Sequence, residues 1–580
     1  MQRQPPRLAS EEINLYVRTY FSLLRSTGEI RVRALEEAHA FSRSSLHVGA
    51  LEPTVDLSAF GYAAGRLPSE MPDVRLVVMG QSHELFEAAG FDVRSWQIVK
   101  TRGRRRPLRW DGADRLAAFI ASVSDIDDLV PILVAYQIEW NKMHASLRSL
   151  RGSGREVWNE PEVLAGLLGI ELPDLARLVD AFGPGRFAHG VEAMIEHPLD
   201  LRARMLASSY SQYQRAAQRW WSGIEPSYLQ TIGARRPPVY FVSSNTHAIA
   251  NLLGGYARTH RQAMIDWAIA TDPEGLGSQV ARATTSGDER ELSSLLYYLL
   301  RAFIHSDPSD RRVHEVRELE RQRGILHLTG PGRIDVDAQL VRLAALEPSL
   351  IDPRLAVPGI EKLARSEAVL INIDYPLGMA AYHLLSRLGQ GVGELRGVYV
   401  MGKAATLNGR VGDVLLSSTV YDEHSGNTFL FRNAFTAEYV APNLRYGSVF
   451  DNQSAVTVKS AFLQNKDYMA TFYRESYTVL EMEAGPFLGA IHELSSPRRV
   501  PTDEIVNLNI HVPFDIGILH YASDTPYSRR QSLLSKSLSF FGVDSTYACG
   551  IAIVKRIIEE ELRRLDQADC AASPQASAGG

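Results

Sequence analysis

Two spacings of apolar residues divide this chain into helical and strand-rich stretches. Apolar positions recur at helical spacing through residues 9–45 and 155–230, which predicts helices that pack by one face. Short continuous apolar runs instead end in polar or glycine-containing loops, as in VRLVVMG from Val74, VYFV from Val239 and ILHYASD from Ile518. Runs of this length bounded by turn residues predict buried strands, so we expect an α/β protein.

The distribution of these patterns predicts three regions and a tail. With 580 residues the chain is too long for one hydrophobic core. We expect an α/β region at 1–150, a helical region at 151–236 and a second α/β domain at 237–565. The segment after residue 566 ends in AASPQASAGG, which predicts a disordered tail over 566–580.

Composition narrows the class of protein. Hydrophobic residues make up 45% of the chain and charged residues 22%, as in ordinary globular proteins, and the net charge is −5. Such a charge provides no general attraction to nucleic acid or to an anionic membrane. The only cysteines, Cys549 and Cys570, exclude a disulfide framework. No apolar run approaches the ~18 residues of a membrane span, and the N-terminus lacks the apolar core of a secretory signal, so we expect a cytoplasmic protein.

Two polar segments outside the C-terminal region have alternative interpretations. The run SSNTH from Ser243 to His247 separates a predicted strand from a predicted helix. It is suited either to capping that helix or to holding a phosphate or a ribose at its N-terminus. The basic run from Arg102 to Arg106 is typical of a solvated loop, with a phosphate or RNA contact as the alternative.

Candidate chemistry is concentrated after residue 320. GILHLTGPGR ends at Arg333, and its Gly-Pro-Gly-Arg turn is suited to an anion. RGVYVMGKAATL predicts a strand that ends at Gly402 and a loop that contains Lys403 and Ala404. VLEMEAG and ILHYASDTP follow, and each predicts a strand that ends in acidic residues. Strand ends are where an α/β sheet presents its ligand-binding groups.

The order of these motifs resembles the nucleoside phosphorylase and nucleosidase superfamily over about residues 320–565. This resemblance implies an α/β sandwich with a mixed central sheet, preceded here by a largely helical α/β N-terminal region. It implies cleavage of the N-glycosidic bond of a purine nucleoside or nucleotide, by a homo-oligomer, with no metal or organic cofactor. An added N-terminal domain is similar to that of AMP nucleosidases, which favours a nucleotide.

The resemblance also implies roles for individual residues. Glu483 would accept hydrogen bonds from the ribose hydroxyls, Met482 would contact the sugar, and Glu481 would assist. Asp524, oriented by Ser523, would protonate the purine base as a general acid. The alternatives are ordinary ones, because acidic residues also favour a helix N-terminus and Asp-Thr-Pro is a good turn sequence.

The chain departs from the family pattern in ways that leave its activity open. Ala404 and Ala405 replace two glycines, and the long stretch SSPRRVPTDEIVNLNIHVPF separates the two acidic motifs. Lys403 would hold a phosphate or point into water, and Arg333 would be a second phosphate ligand. Water or inorganic phosphate could attack the sugar, and we expect hydrolysis of a nucleotide. The alternative is a non-catalytic nucleotide-sensing protein with a degenerate phosphorylase-like domain.

Overall fold

The computed structural model describes residues 10–103, 106–183, 185–206, 209–230, 236–331, 334–496, 498–525 and 540–572. Within these ranges the chain forms two units, each with its own mixed β-sheet and packed helices. The predicted α/β class is therefore confirmed. None of the helices in these ranges combines the length and the apolar character that crossing a bilayer requires.

The first unit contains a six-stranded sheet. Its strands are β1 (Glu29–Arg31), β2 (Leu76–Gly80), β3 (Gln97–Val99), β4 (Leu108–Trp110), β5 (Arg115–Phe119) and β6 (Arg202–Met205). They lie in the order β1-β6-β2-β5-β4-β3, and β2 is parallel to both of its neighbours. The accompanying helices are α1 (Ser10–Thr27), α2 (Glu36–Phe41), α3 (Leu57–Ala64), α4 (His83–Ala88), α5 (Val123–Leu147), α6 (Pro161–Leu168), α7 (Leu172–Phe182), α8 (Phe187–Glu196) and α9 (Tyr210–Gln230).

Helix α5 forms the centre of the first unit. The Ser122 hydroxyl caps it by accepting a hydrogen bond from the Ser124 N–H at 3.3 Å. Most residues of the helix are buried, including Tyr136, Glu139 and Trp140, as expected of a helix surrounded by packed neighbours. Its buried face therefore determines where the other helices of the unit pack.

The first unit corrects two predictions. The sequence predicts a separate helical region at 151–236, but β6 lies within it and completes the first sheet between β1 and β2. The four residues of β6 are too few for their alternation to outweigh the helical pattern around them. Arg106, predicted in a solvated loop, is buried, and its guanidinium hydrogen-bonds Asp125 and Asp128 at 3.0 Å each.

The second unit contains an eleven-stranded sheet. Its strands are β7 (Val239–Ser243), β8 (Ile325–Leu328), β9 (Ala338–Arg342), β10 (Val369–Ile373), β11 (Leu395–Thr406), β12 (Val414–Asp422), β13 (Thr428–Leu430), β14 (Val449–Thr457), β15 (Tyr477–Glu481), β16 (Ile505–Asn507) and β17 (Asp515–Asp524). The order is β16-β13-β12-β14-β15-β11-β7-β10-β9-β8, with β17 paired to β11 and β12. Strands β7, β10, β11 and β17 run parallel.

Helices cover both faces of this second sheet. They are α10 (Ala248–Gly254), α11 (Tyr256–Thr259), α12 (Arg261–Thr271), α13 (Gly277–Ser286), α14 (Glu289–His305), α15 (Arg311–Gln322), α16 (Met379–Gly391), α17 (Ala437–Val440), α18 (Lys466–Arg474), α19 (Ala484–Ser495) and α20 (Phe540–Ala572). Successive residues of a strand face opposite sides. Val398 and Val400 of β11 thus join a core with α16 and α19, whereas Tyr399 and Met401 join a core with α10 and α20.

The two units share part of a core. After β14 the chain leaves the second sheet, and Phe462 and Leu463 are buried in the hydrophobic core of the first unit. The Ser45 N–H donates to the Gln464 carbonyl at 2.6 Å, and Ser44 pairs with Asn465 in an antiparallel bridge. We call residues 458–465 the tether, because this segment attaches the second sheet to the first unit.

Two expectations for the second unit are also corrected. The sequence predicts a loop after Gly402, but β11 continues as a strand to Thr406. It also predicts a disordered tail from residue 566, but α20 continues to Ala572, and Asp566 and Asp569 pair with Lys362 and Arg365 at 2.6 Å each. Residues 573–580 lie outside the described parts of the chain.

Candidate active site

Glu481 is the most constrained acidic residue of the predicted motifs. It ends β15 and is buried, and its Oε2 atom accepts hydrogen bonds from the backbone N–H groups of Glu483 and Ala484 at 2.7 Å each. Its Oε1 atom accepts a short hydrogen bond from the Thr457 hydroxyl. Burial nevertheless raises the pKa of Glu481 to about 7, against the opposing effect of these three donors.

Glu483 lies immediately before α19, with φ −129° and ψ −27°. It is partly exposed, as is Met482 beside it. The pKa of the Tyr375 phenol is raised, mainly by burial, and the nearby carboxylate of Glu483 contributes to this increase. Glu481 thus holds the turn in place, and Glu483 is the member of the motif that solvent or a ligand can reach.

Asp524 is the last residue of β17 and is buried. Desolvation raises the pKa of Asp524 to about 6, opposed by the Thr525 N–H, which donates to Oδ1 at 2.7 Å, and by the charge of Arg66 from the first unit. The adjacent Ser523 hydroxyl donates to the Ala404 carbonyl at 3.4 Å. An Asp with a raised pKa at a strand end has the property that a general acid requires.

Strand β11 brings the two acidic motifs together. Ala405 pairs with Asp524 of β17 on one side and with Leu480 of β15 on the other. Since β15 is antiparallel to β11, Glu481 follows Leu480 and lies beside Ala404. The acidic motifs are 43 positions apart between Glu481 and Asp524 in the sequence, yet they flank the same two residues of one strand.

Lys403 lies in this part of β11, next to the buried Gly402 and Ala404. The Lys403 side chain is exposed, yet desolvation lowers its pKa below the ordinary value for lysine. An accessible ammonium that is partly desolvated is the arrangement expected in a cleft. Arg333, the second predicted phosphate ligand, lies outside the described residues.

Sequence reasoning missed His520, which lies within β17. Its register partners are Gly402 of β11 and Leu415 of β12, and its Nε2 atom is 3.7 Å from Glu481 Oε2. Among the described residues neither ring nitrogen has a hydrogen-bond partner, and burial lowers the pKa of His520 to about 4. In the sequence, His520 could be noticed only as a polar residue within a predicted buried strand. That pattern does not indicate that Glu481 of another strand lies beside it.

The other polar candidates have structural roles. Asn245 of the SSNTH segment closes the turn that leads into α10, and its side-chain oxygen accepts from the N–H groups of His247 and Ala248 at 3.1 and 2.6 Å. The side-chain oxygen of Asn245 is therefore used within this turn. Asp413, which is not among the sequence-predicted candidates, also closes a turn by accepting from the Arg410 and Ser448 N–H groups at 2.7 and 2.9 Å.

Comparisons with solved structures give weak similarities. The chain is similar to a purine nucleoside phosphorylase from Toxoplasma gondii, with 12% identity over 44% of this chain and 89% of that chain and a TM-score of 0.28. It is also similar to a 5'-methylthioadenosine/S-adenosyl homocysteine nucleosidase from Campylobacter jejuni, with 10% identity over 42% of this chain and 92% of that chain and a TM-score of 0.27. Similarity at these TM-scores carries no argument about function.

Sequence comparison gives a firmer result. No curated protein sequence matches the chain. The model of one family, described as a family of unknown function (DUF6909), matches residues 32–559 and so includes both units. The chain therefore belongs to this family of unknown function, DUF6909.

Proposed function

We propose that the second unit cleaves the N-glycosidic bond of a purine nucleotide or nucleoside. The observation that carries this proposal is the position of the two acidic motifs. Glu481 and Asp524 flank Ala404 and Ala405 of one strand, and burial raises the pKa of both carboxyls. Cleavage of this bond requires an acid at the base and a carboxylate near the sugar, where positive charge develops.

Asp524 would protonate the purine and make it a better leaving group. With an ordinary pKa near 4, only about 0.1% of an aspartate is protonated at pH 7. With a pKa of about 6, roughly 10% is protonated. This hundredfold gain in the acid form supports Asp524 as the general acid, and Ser523 beside it would orient the Asp524 carboxyl.

Glu483 would bind the ribose hydroxyls, because it is the accessible acid of its motif. Glu481 is buried and saturated by three donors, so its role would be to fix the turn from which Glu483 and Met482 reach the sugar. A negative charge at Glu483 would also stabilise the cationic character of the sugar in the transition state.

Lys403 would hold the phosphate of the substrate. It lies on the same strand as the two flanked alanines, two positions before Ala405. One ammonium suits the 5'-phosphate of a nucleotide, whereas phosphorolysis needs several donors that converge on free phosphate. We therefore favour hydrolysis of a nucleotide.

A second candidate function is nucleotide binding without catalysis. One observation favours it. β11 continues as a strand through Lys403 and Ala404, with a shift in its pairing to β17 only after Ala404, and the Ala404 side chain is packed in the core. A loop rich in glycine could approach a nucleoside more closely than this strand can. Such a domain would act as a nucleotide sensor.

The test is base release from AMP, IMP, adenosine and inosine, measured by chromatography with and without inorganic phosphate. We expect phosphate-independent release that is faster from the nucleotides and is lost in Asp524→Asn. Asp515→Asn, at the other end of β17, is the matched control and should retain activity. Saturable binding of the nucleotides without any release would instead support the sensor.

A further inference from the structure

An open surface groove of about 460 Å³ lies far from the candidate active site. Its lining includes four arginines, Arg396, Arg556, Arg563 and Arg564, and the two acids Asp515 and Glu560. Residues 512–514, Val-Pro-Phe, also line it, but the surface that faces the groove is mostly polar. We call this groove the arginine pocket. Its volume lies within the range of small-molecule sites, about 300–1,000 Å³.

Three elements bring these arginines together. Arg556, Glu560, Arg563 and Arg564 lie at positions i, i+4, i+7 and i+8 of α20, which is one face of a helix. Arg396 and Asp515 lie at the beginnings of β11 and β17, which run parallel with Gly397 opposite Asp515. The pocket is therefore built on rigid elements.

Ion pairs orient the guanidinium groups but use only part of their capacity. Arg556 Nε donates to Asp515 at 2.7 Å, Arg563 donates to Glu560 through Nε and Nη2 at 3.0 and 2.5 Å, and Arg564 Nε donates to Glu560 at 3.0 Å. Within the described chain, both Nη atoms of Arg556, Nη1 of Arg563 and Nη2 of Arg564 make no hydrogen bond. Each arginine carries five N–H donors, so unused donors remain in the pocket.

Arg396 also uses only some of its N–H donors in ion pairs. Its Nε and Nη1 atoms hydrogen-bond Glu394 and Glu561 at 2.9 and 2.8 Å, and these two acids do not line the pocket. The lining itself therefore contains four cations and two anions. Glu394 and Glu561 lie just outside the lining but pair with Arg396 and Arg564, so four acids balance the four arginines. An anion would therefore be held by the unused N–H donors and not by an excess of charge.

We propose that the arginine pocket binds a small molecule with two or more linked phosphate groups. Guanidinium donors match phosphate oxygens in pairs, and several guanidiniums at one pocket favour neighbouring phosphates over a single carboxylate. This site goes beyond the proposed glycosidic activity and does not depend on it.

The pocket and the candidate active site lie at opposite ends of the same strands. Arg396 and Ala405 are nine residues apart on β11, which is roughly 30 Å at the rise of a strand. One ligand cannot bridge this distance, so a molecule bound among the arginines would be a second ligand and not the substrate.

The experiment is calorimetric titration of the full-length protein with tripolyphosphate, which carries neither the base nor the sugar that the candidate active site would bind. We expect one site per chain, with affinity that falls as salt rises. Arg563→Gln should weaken binding at least tenfold. Its side chain is 52% exposed, so its replacement should leave the fold intact, which circular dichroism would verify.

Arg321→Gln is the matched control. Arg321 donates to Glu318 through the same two atoms and with the same i,i+3 spacing as Arg563 to Glu560, but outside the pocket. We expect binding to be unchanged in this variant. Equal affinity of the wild-type protein and Arg563→Gln, or no saturable binding to the wild type, would overturn the proposal. So would loss of tripolyphosphate binding in Lys403→Ala with retention in Arg563→Gln.

Discussion

The chemistry of single residues depends here on burial more than on charged neighbours. Asp524 and Glu481 both owe their raised pKa values first to desolvation. Their surroundings differ, however. Glu481 accepts three hydrogen bonds, while the only hydrogen bond described for the Asp524 carboxyl is from the adjacent Thr525 N–H. Asp524 is therefore better suited to the general-acid role proposed for it, and Glu481 is better suited to holding the turn.

Replacing Asp524 with Asn should slow base release by about 10²–10⁴-fold, the usual contribution of a general acid. Asn preserves the shape of the side chain, so ligand affinity should change little. Because the acid form is needed, wild-type activity should fall as pH rises above about 6. Rate and affinity measured from pH 5 to 8 would check this. A variant with wild-type turnover would exclude Asp524 as the acid.

Replacing Lys403 with Ala should raise the Michaelis constant for nucleotides about tenfold or more and leave that for nucleosides nearly unchanged. The reason is that only the nucleotide carries a phosphate for the ammonium to bind. Lys100→Ala, an exposed lysine of the first unit, is the control. Equal effects on both substrate types would mean that Lys403 does not contact phosphate.

At the scale of elements, the Thr457 side chain connects β14, β15 and α19. Thr457 ends β14, its hydroxyl donates to Glu481 at the end of β15, and the same hydroxyl accepts from the Gly485 N–H of α19 at 2.8 Å. The Val458 N–H continues the connection by donating to the Glu481 carbonyl at 2.8 Å. The position of the Glu-Met-Glu turn is therefore determined by a residue of a neighbouring strand.

Replacing Thr457 with Val should reduce the free energy of unfolding by about 1–3 kcal/mol, because a buried carboxylate loses a donor and a buried N–H loses an acceptor. Turnover should fall as well, since the turn that carries Glu483 loses its support. Thr457→Ser retains the hydroxyl and should preserve most of both. Denaturant unfolding and rate measurements would test this, and a stable, fully active Thr457→Val variant would contradict it.

At the scale of the whole molecule, the tether makes the two units interdependent. Phe462 comes from the second unit but is fully buried in the core of the first, where its ring packs against those of His39, His47 and Tyr62. The same segment begins directly after Thr457. Disturbing the first core should therefore destabilise the unit that carries the candidate active site.

Replacing Phe462 with Ala should cost about 3–5 kcal/mol of unfolding free energy, as is usual for a buried phenylalanine. Both units should then unfold at a lower denaturant concentration. Phe450→Ala, near the beginning of β14 and 37% exposed, is the control and should cost about 1 kcal/mol or less. Unaltered stability of Phe462→Ala would show that the tether does not join the cores energetically.

Buried ionisable groups give the molecule a pH-dependent stability. Burial raises the pKa of Glu423 from 4.5 to about 7, although the Lys459 N–H donates to it at 3.0 Å. A carboxyl with a higher pKa in the folded chain stabilises that state below its unfolded pKa, and this contribution is lost as pH rises through the folded value. For Glu423 the loss occurs between about pH 4.5 and 7.

Replacing Glu423 with Gln should therefore improve stability relative to the wild type as pH rises across that window, by at most about 1.4 kcal/mol per pH unit. Burial lowers the pKa of His520 from 6.5 to about 4, so its contribution has the opposite sign and is lost as pH falls. His520→Gln is therefore the contrasting control. Unfolding measured from pH 4.5 to 8 would test both, and parallel curves for Glu423→Gln and wild type would refute the expectation.

The sequence by itself determined the α/β class and the local form of the acidic motifs, because apolar spacing and turn residues are properties of neighbouring positions. The strands that end at Glu481 and Asp524 were predictable for this reason. Tertiary structure alone decided that both flank one pair of residues on β11, that Thr457 and His520 adjoin Glu481, and that β6 completes the first sheet. These features arise from pairing and packing between distant segments, and burial then set the pKa values on which the proposed chemistry depends.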